Sequence, residues 1–143
     1  MSLDGAYDPT NIFAKILRGE APAAKVYEDD QICVFMDAFP QSPGHVLVIP
    51  KTPARNLLDA PPEMIFPLMS AVQRVAKAVH TALAPDGIIV TQFNGASAGQ
   101  TVFHLHVHII PRYEGQALHG HGRTSMADMA TLQAQAARIA AAL

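Results

Sequence analysis

The chain has 143 residues, half of them hydrophobic and 15% charged, enough to bury one core and too apolar for a disordered segment. A formal net charge of −2 with scattered Lys and Arg leaves no electrostatic footprint for DNA or RNA. Cys33, the single cysteine, excludes an internal disulfide; no apolar run approaches bilayer length and residues 1–10 lack signal-peptide grammar, so a soluble, cytoplasmic setting without a membrane partner is expected.

Residues 1–8 read as a loose leader. Residues 11–19 spell a short helix that stops at Gly19. Strands are expected over residues 26–28 and 31–37, flanking Asp29-Asp30 as a hairpin turn. Residues 40–44 form a loop by their Pro, Ser and Gly content and lead into a buried strand over residues 45–50. From about Pro62 to Leu83, apolar Ile65, Leu68, Met69, Val72, Val75, Ala76, Val79 and Leu83 recur with helical period. Asp59 or the Pro61-Pro62 pair opens that helix, and Pro67 falls early enough to be tolerated. Residues 87–93 form another strand and residues 95–99 a loop of small residues. The Ala-rich stretch from Ser125, with Met126, Met129, Leu132 and Ile139, spells a final helix. The sum is one α+β domain over residues 1–143, an antiparallel sheet of about five strands with helices against one face.

Residues 102–112 carry the chemistry. In an extended segment side chains alternate sides, so His104, His106 and His108 share one face while Phe103, Leu105, Val107 and Ile109 share the other. The apolar row belongs to the core and pins the register, which leaves the imidazoles facing a cleft or solvent. A metal site is one use of such a triplet. The outer two histidines, however, lie about 13 Å apart along the backbone at ~3.3 Å per residue, too far to converge on one ion. No nearby Asp, Glu or Cys completes a ligand set. Nucleophilic attack on phosphorus is the other use. Neutral imidazole is abundant at pH 7 with an ordinary pKa of about 6.5, and it approaches an anionic phosphoryl group without charge repulsion. Residues 94–101, Asn-Gly-Ala-Ser-Ala-Gly-Gln-Thr, bring small residues and neutral donors that close around an anion. A plain half-buried polar face would suit one histidine better than three at strict alternation.

The run from His104 to Ile110 resembles the His-φ-His-φ-His-φ-φ signature (φ apolar) of the histidine triad superfamily of nucleotide hydrolases and transferases. Residues 11–20, 26–30, 35–37, 43–51 and 99–112 are similar to the family's blocks in the same order, so the resemblance covers residues 10–113 and leaves 114–143 as a C-terminal loop and helix. It implies a homodimer joining two five-stranded sheets, a purine nucleotide substrate and no cofactor. It implies that His106 is the nucleophile that becomes nucleotidylated. His104 and His108 become imidazoles that orient it and bond phosphate oxygens, and His45 a fourth histidine supporting the triad. Gln100 and Thr101 resemble the pair contacting the phosphate and leaving group, and Asn94 resembles the asparagine reaching the phosphate or ribose. Asp37 is similar to the carboxylate that binds ribose hydroxyls, with Ile12, Phe13, Ile16 and Phe35 around the purine.

Some microbial members carry a structural zinc held by a Cys-x-x-Cys pair, a histidine after the Pro-Lys pair and a histidine of the triad region. The first three positions are Asn11, Ala14 and Pro53 here, so no metal is expected. His119 and His121 read as part of a solvated loop, and Cys33 as a small strand residue rather than a reactive thiol. The expected activity is hydrolysis or transfer at nucleoside 5′-phosphoramidates or dinucleoside polyphosphates. Two rivals stand beside it: a metal-dependent hydrolase using His104 and His106 as ligands, and a nucleotide-binding regulatory module with incidental turnover.

Overall fold

Strands β2 (Ile32–Met36) and β3 (Val46–Pro50) are buried at every position, so both faces of the sheet they share must be covered. The computed structural model describes residues 3–118 and 126–143 and shows how. The elements run α1 (Ile12–Leu17), β1 (Lys25–Glu28), β2, β3, α2 (Pro62–Leu83), β4 (Gly87–Thr91), β5 (Val107–Arg112) and α3 (Met129–Ala141). The five strands form one antiparallel sheet in the order β1-β2-β3-β5-β4.

Alternate residues of the central strands feed two separate cores. Val34, Met36, Val46, Val48, Val107 and Ile109 pack beneath α2 and α3. Cys33, Phe35, Leu47 and Ile49 pack on the other face beneath Phe13 and Ile16 of α1. The expectation of helices against one face is therefore corrected: α1 lies opposite α2 and α3, because its two apolar side chains need the odd-numbered row of β2 and β3. Burial pushes the Cys33 thiol up to about 11, which keeps it an inert apolar filler.

The ends of the helices follow from their sequence. Asn11 caps α1, its carboxamide oxygen accepting the Ala14 N–H at 2.9 Å. Pro62 occupies the first turn of α2, where its missing N–H costs nothing, and Ala84 ends the helix in the left-handed conformation. Asp59 does not cap α2; it accepts the N–H groups of Arg55 and Asn56. Asp128 caps α3 through the Thr131 N–H. Gly44 turns the chain into β3 at φ +91°, and a Cβ there would collide with Leu83. Among the described residues no helix is long and apolar enough to cross a membrane. His119 and His121 lie outside the described residues.

Leu105, Val107 and Ile109 enter the core beneath the long helix as the alternation requires. Ile109 has no exposed surface. Truncating it, Ile109→Ala, is expected to cost about 2–5 kcal/mol of unfolding free energy in a urea titration, with the sheet retained by circular dichroism.

Candidate functional site

The histidine run is not one strand. β5 begins at Val107, and residues 102–106 leave the ladder. Two hydrogen bonds account for this: the Pro50 carbonyl at the end of β3 accepts the His104 ring Nε2–H at 2.8 Å, and the Leu105 N–H goes to the Ala54 carbonyl at 2.8 Å. Phe103 departs from the apolar row and lies under the Arg55 guanidinium, 4.9 Å from its ring centroid. Of the three imidazoles expected to face a cleft or solvent, His106 and His108 line a cavity and His104 does not. His104, His106 and His108 are all buried, with 0%, 6% and 2% of their surfaces exposed.

Burial demands that each ring nitrogen be satisfied, and the partners fix the protons. A carbonyl can only accept. His104 therefore carries its proton on Nε2, and its Nδ1 accepts the Tyr7 hydroxyl proton at 2.6 Å. The His104 carbonyl accepts Nδ1–H of His106 at 2.6 Å, which puts the His106 lone pair on Nε2. The Gln41 main-chain N–H donates to His45 Nδ1 at 3.0 Å, so His45 holds its proton on Nε2 and donates it to His108 Nδ1 at 2.9 Å. Neutral His108 then carries its own proton on Nε2. His104, His106 and His45 are thus assigned by main-chain groups, and His108 by the His45 ring.

The rings of His106 and His108 lie 4.9 Å apart and line a cavity of about 270 Å³. Phe13 stands edge-on to His106 at 4.9 Å. Ile12, Ile16, Phe35, Asp37 and Thr101 share the same wall, so the structure brings together eight of the twelve residues singled out from the sequence. His45 stands behind His108, and its Nε2 is also 3.4 Å from Asp37. His104 reaches the site only through its carbonyl, both ring nitrogens being engaged elsewhere. Gln100 is not on the cavity wall. Its carboxamide accepts the Gly95 N–H and donates to the Arg55 and Val102 carbonyls, clipping the loop from within. Asn94 is turned the other way, accepting the Leu57 N–H and pairing with Gln92. Sequence reasoning missed Met126 and Met129, which line the far end of the cavity. It also missed Tyr7, whose leader position carries no motif.

Asp37, His45 and His108 bring three potential ligand atoms within 4.8 Å of one another. They do not fit a cation: with Gln41 N–H on Nδ1, His45 must keep its Nε2 proton and acts as donor, not ligand. The structural zinc of some relatives has no better place. Asn11 and Ala14 face each other across the α1 cap, Pro53 offers no donor nitrogen, and both His104 nitrogens are bonded within the protein.

Burial holds the His104 imidazole below its ordinary value of 6.5, partly offset by the Pro50 carbonyl. The unfolded chain therefore takes up this proton first. The contribution is fully present above about pH 6.5 and is lost as pH falls toward the depressed folded value. Urea midpoints are expected to fall from pH 7.5 to 5.5, and less steeply in His104→Asn; identical slopes in the two proteins would contradict this.

The HIT domain profile matches residues 18–115. The adenylylsulfatase HINT3 of Arabidopsis thaliana is 42% identical over 107 residues, 75% of this chain and 54% of the plant protein, so the chain spans about half of that relative's length. A crystal structure of a Hit-like protein of Bartonella henselae, described as involved in cell-cycle regulation, superimposes with a TM-score of 0.89 at 54% identity, covering 96% of this chain and all of that one. A zinc-bound histidine triad family protein of Mycobacterium smegmatis gives a TM-score of 0.79 at 34% identity over 93% of this chain and 92% of that one. With the profile covering most of the sequence and the four-histidine arrangement in place, the chain belongs to the histidine triad (HIT) family.

Proposed function

We propose that the protein is a cytoplasmic nucleotide hydrolase or nucleotidyl transferase, acting on purine nucleoside 5′-phosphoramidates or dinucleoside polyphosphates through a covalent nucleotidyl-His106 intermediate. One observation carries the reading: the His104 carbonyl holds Nδ1–H of His106 at 2.6 Å, so a ring on the cavity wall has its lone pair on Nε2. Family membership and the adenylylsulfatase activity in the name of the Arabidopsis relative support it.

In the proposed reaction His106 Nε2 bonds to the α-phosphorus while the bond to the leaving nitrogen or oxygen breaks and takes its electron pair. The leaving group collects a proton through the His45–His108 pair. Water then attacks the phosphorus of the adduct and gives its proton back to the His45–His108 pair, releasing nucleoside monophosphate and restoring the imidazole. The Thr101 hydroxyl and the His108 Nε2–H meet the non-bridging oxygens. Asp37 accepts from ribose hydroxyls, and Ile12, Phe13, Ile16 and Phe35 enclose the base by apolar contact. Gln100 serves by holding the loop that presents Thr101, and Asn94 by tying that loop to Leu57.

A second copy is proposed to dock on β4. Among the described residues this outermost strand pairs only with β5, and it exposes Val90, which shares a groove with exposed Met69 and Leu57. A shallow groove of about 180 Å³ between α2 and β4, with Leu68, Val90 and Leu105 among its walls, gives the patch the relief of an interface. Substituting Val90→Glu is expected to convert a dimer into a monomer in sedimentation velocity; unchanged sedimentation would remove this surface from consideration.

The decisive experiment is a panel of adenosine and guanosine phosphoramidates and dinucleoside polyphosphates, with mass detection of the protein adduct. Loss of the nucleophile in His106→Ala is expected to reduce turnover by at least ~10⁴-fold while nucleoside monophosphate binding stays within a few-fold. Normal rates in that variant would falsify the mechanism.

A further inference from the structure

His104 is absent from the cavity wall, yet its carbonyl holds the proton that assigns the His106 lone pair. Whatever fixes His104 therefore also fixes His106. Part of that hold comes from the leader. The Tyr7 hydroxyl donates to His104 Nδ1 at 2.6 Å, and the two rings stand edge to face, 5.6 Å between centroids at 69°. The same hydroxyl accepts Nδ2–H of Asn11 at 3.0 Å, and Asn11 is the residue that caps α1. Asn11 donates as well to the Asp8 carbonyl at 2.8 Å, closing a small network at the start of the helix that carries Phe13. The chain of contacts thus runs from the α1 cap through a phenol to His104, and through its main chain to His106.

We infer that Tyr7 is a positioning residue for the triad: with the His104 tautomer set by the Pro50 carbonyl, the Tyr7 hydroxyl donates to the remaining Nδ1 lone pair and holds the rotamer of His104, and the His104 carbonyl passes that order to His106. The inference rests on the proposed reaction only for its kinetic consequence. It also gives physical content to the missing zinc ligands. Where some members of the family tie a histidine of the triad region to a metal, this chain has Asn11, Ala14 and Pro53 at the other ligand positions, and a phenol–imidazole hydrogen bond holds His104.

Other contacts hold the leader independently. The Leu3 carbonyl accepts from the Asn56 carboxamide at 3.0 Å and the Ala6 carbonyl from the Arg55 guanidinium at 3.3 Å. Removing one hydroxyl therefore leaves the segment docked, and Tyr7→Phe keeps the ring contact while deleting the donor. Thr10, on the same segment, bonds only Asp8 and is exposed, so Thr10→Ala is the control for general loosening of the leader.

The test uses the full chain and three readouts: histidine ¹⁵N tautomer signals, kcat and KM with adenosine 5′-phosphoramidate, and melting temperature with EDTA and with added Zn²⁺. In Tyr7→Phe, the His104 Nδ1 resonance is expected to move to that of an imine nitrogen lacking a donor, with altered His106 signals. The kcat should fall about 10-fold with KM within about 2-fold, the size of one lost hydrogen bond. Thr10→Ala should match wild type, and neither EDTA nor Zn²⁺ should shift the wild-type melting temperature. Unchanged nitrogen signals in Tyr7→Phe, equal kcat losses in both variants, or a chelator-induced drop in melting temperature reversed by Zn²⁺ would each overturn the inference. Should wild type turn over neither phosphoramidates nor dinucleoside polyphosphates, the proposed reaction fails and the nitrogen signals alone decide: a moved His104 Nδ1 upholds the positioning role, and an unmoved one ends it.

Discussion

The hydrogen bond from His106 Nδ1 to the carbonyl two residues earlier is the constraint on which the site depends. A neutral imidazole has one proton and two places to put it, and only one of the two tautomers leaves Nε2 nucleophilic. A side-chain partner could rotate away or change its own protonation. A main-chain carbonyl does neither. Its orientation is set by the backbone around residues 104 and 105, and that backbone is fastened at the Pro50 and Ala54 carbonyls. Leaving the β ladder before Val107 is thus what makes the assignment: had residues 104–106 continued in register with β3, the Pro50 carbonyl would meet a main-chain N–H instead of the His104 ring.

The sheet supplies the rigidity behind this. β3 and β5 pair through Val46, Leu47 and Val48 against Ile109, His108 and Val107, so His108 stands on the Leu47 side while its neighbours enter the opposite core. Leu47 and Phe35 belong to the small core under α1 and line the cavity, whose wall is completed by Met36 and Leu132 of the other core. His45 sits where β3 begins, and the preceding turn aims the Gln41 N–H at its Nδ1. A glycine at position 44 is what lets that turn pass so close to Leu83.

Much of this was legible from residue pattern. The long helix was bounded at Pro62 and Leu83 by period and proline chemistry, and both bounds stand in the structure. The central strands were legible from their apolar runs, and Leu105, Val107 and Ile109 from alternation. The pattern failed where polar groups override it. Alternation cannot see that a ring N–H outcompetes a ladder N–H at Pro50, so it predicts a strand five residues too long and puts Phe103 in the apolar row, whereas that half-buried ring lies under the Arg55 guanidinium. Gln100 and Asn94 read as ligands to an anion because amides beside the histidine run look available; the fold spends both on loop carbonyls and N–H groups. The leader was the largest blind spot. Its single aromatic residue has no periodic partner, and its hydrogen bond to His104 spans 97 positions.

The cavity wall adds a physical requirement to the proposed chemistry. Among the described residues it has no Lys or Arg, and Asp37 is its one carboxylate. A phosphate brought there cannot be neutralised by a formal positive charge on the wall, so its oxygens must be met by dipoles: the Thr101 hydroxyl, the His108 N–H and main-chain amides. Such donors are fixed before the substrate arrives and need no reorganisation during the displacement. They also spare the nucleophile a cationic neighbour, which would draw on the same lone pair the reaction needs. In the proposed reaction an apolar chamber for the base, neutral dipoles for the phosphate and a lone pair pinned by a carbonyl are then three parts of one solution: the barrier is lowered by placing atoms rather than by placing charge.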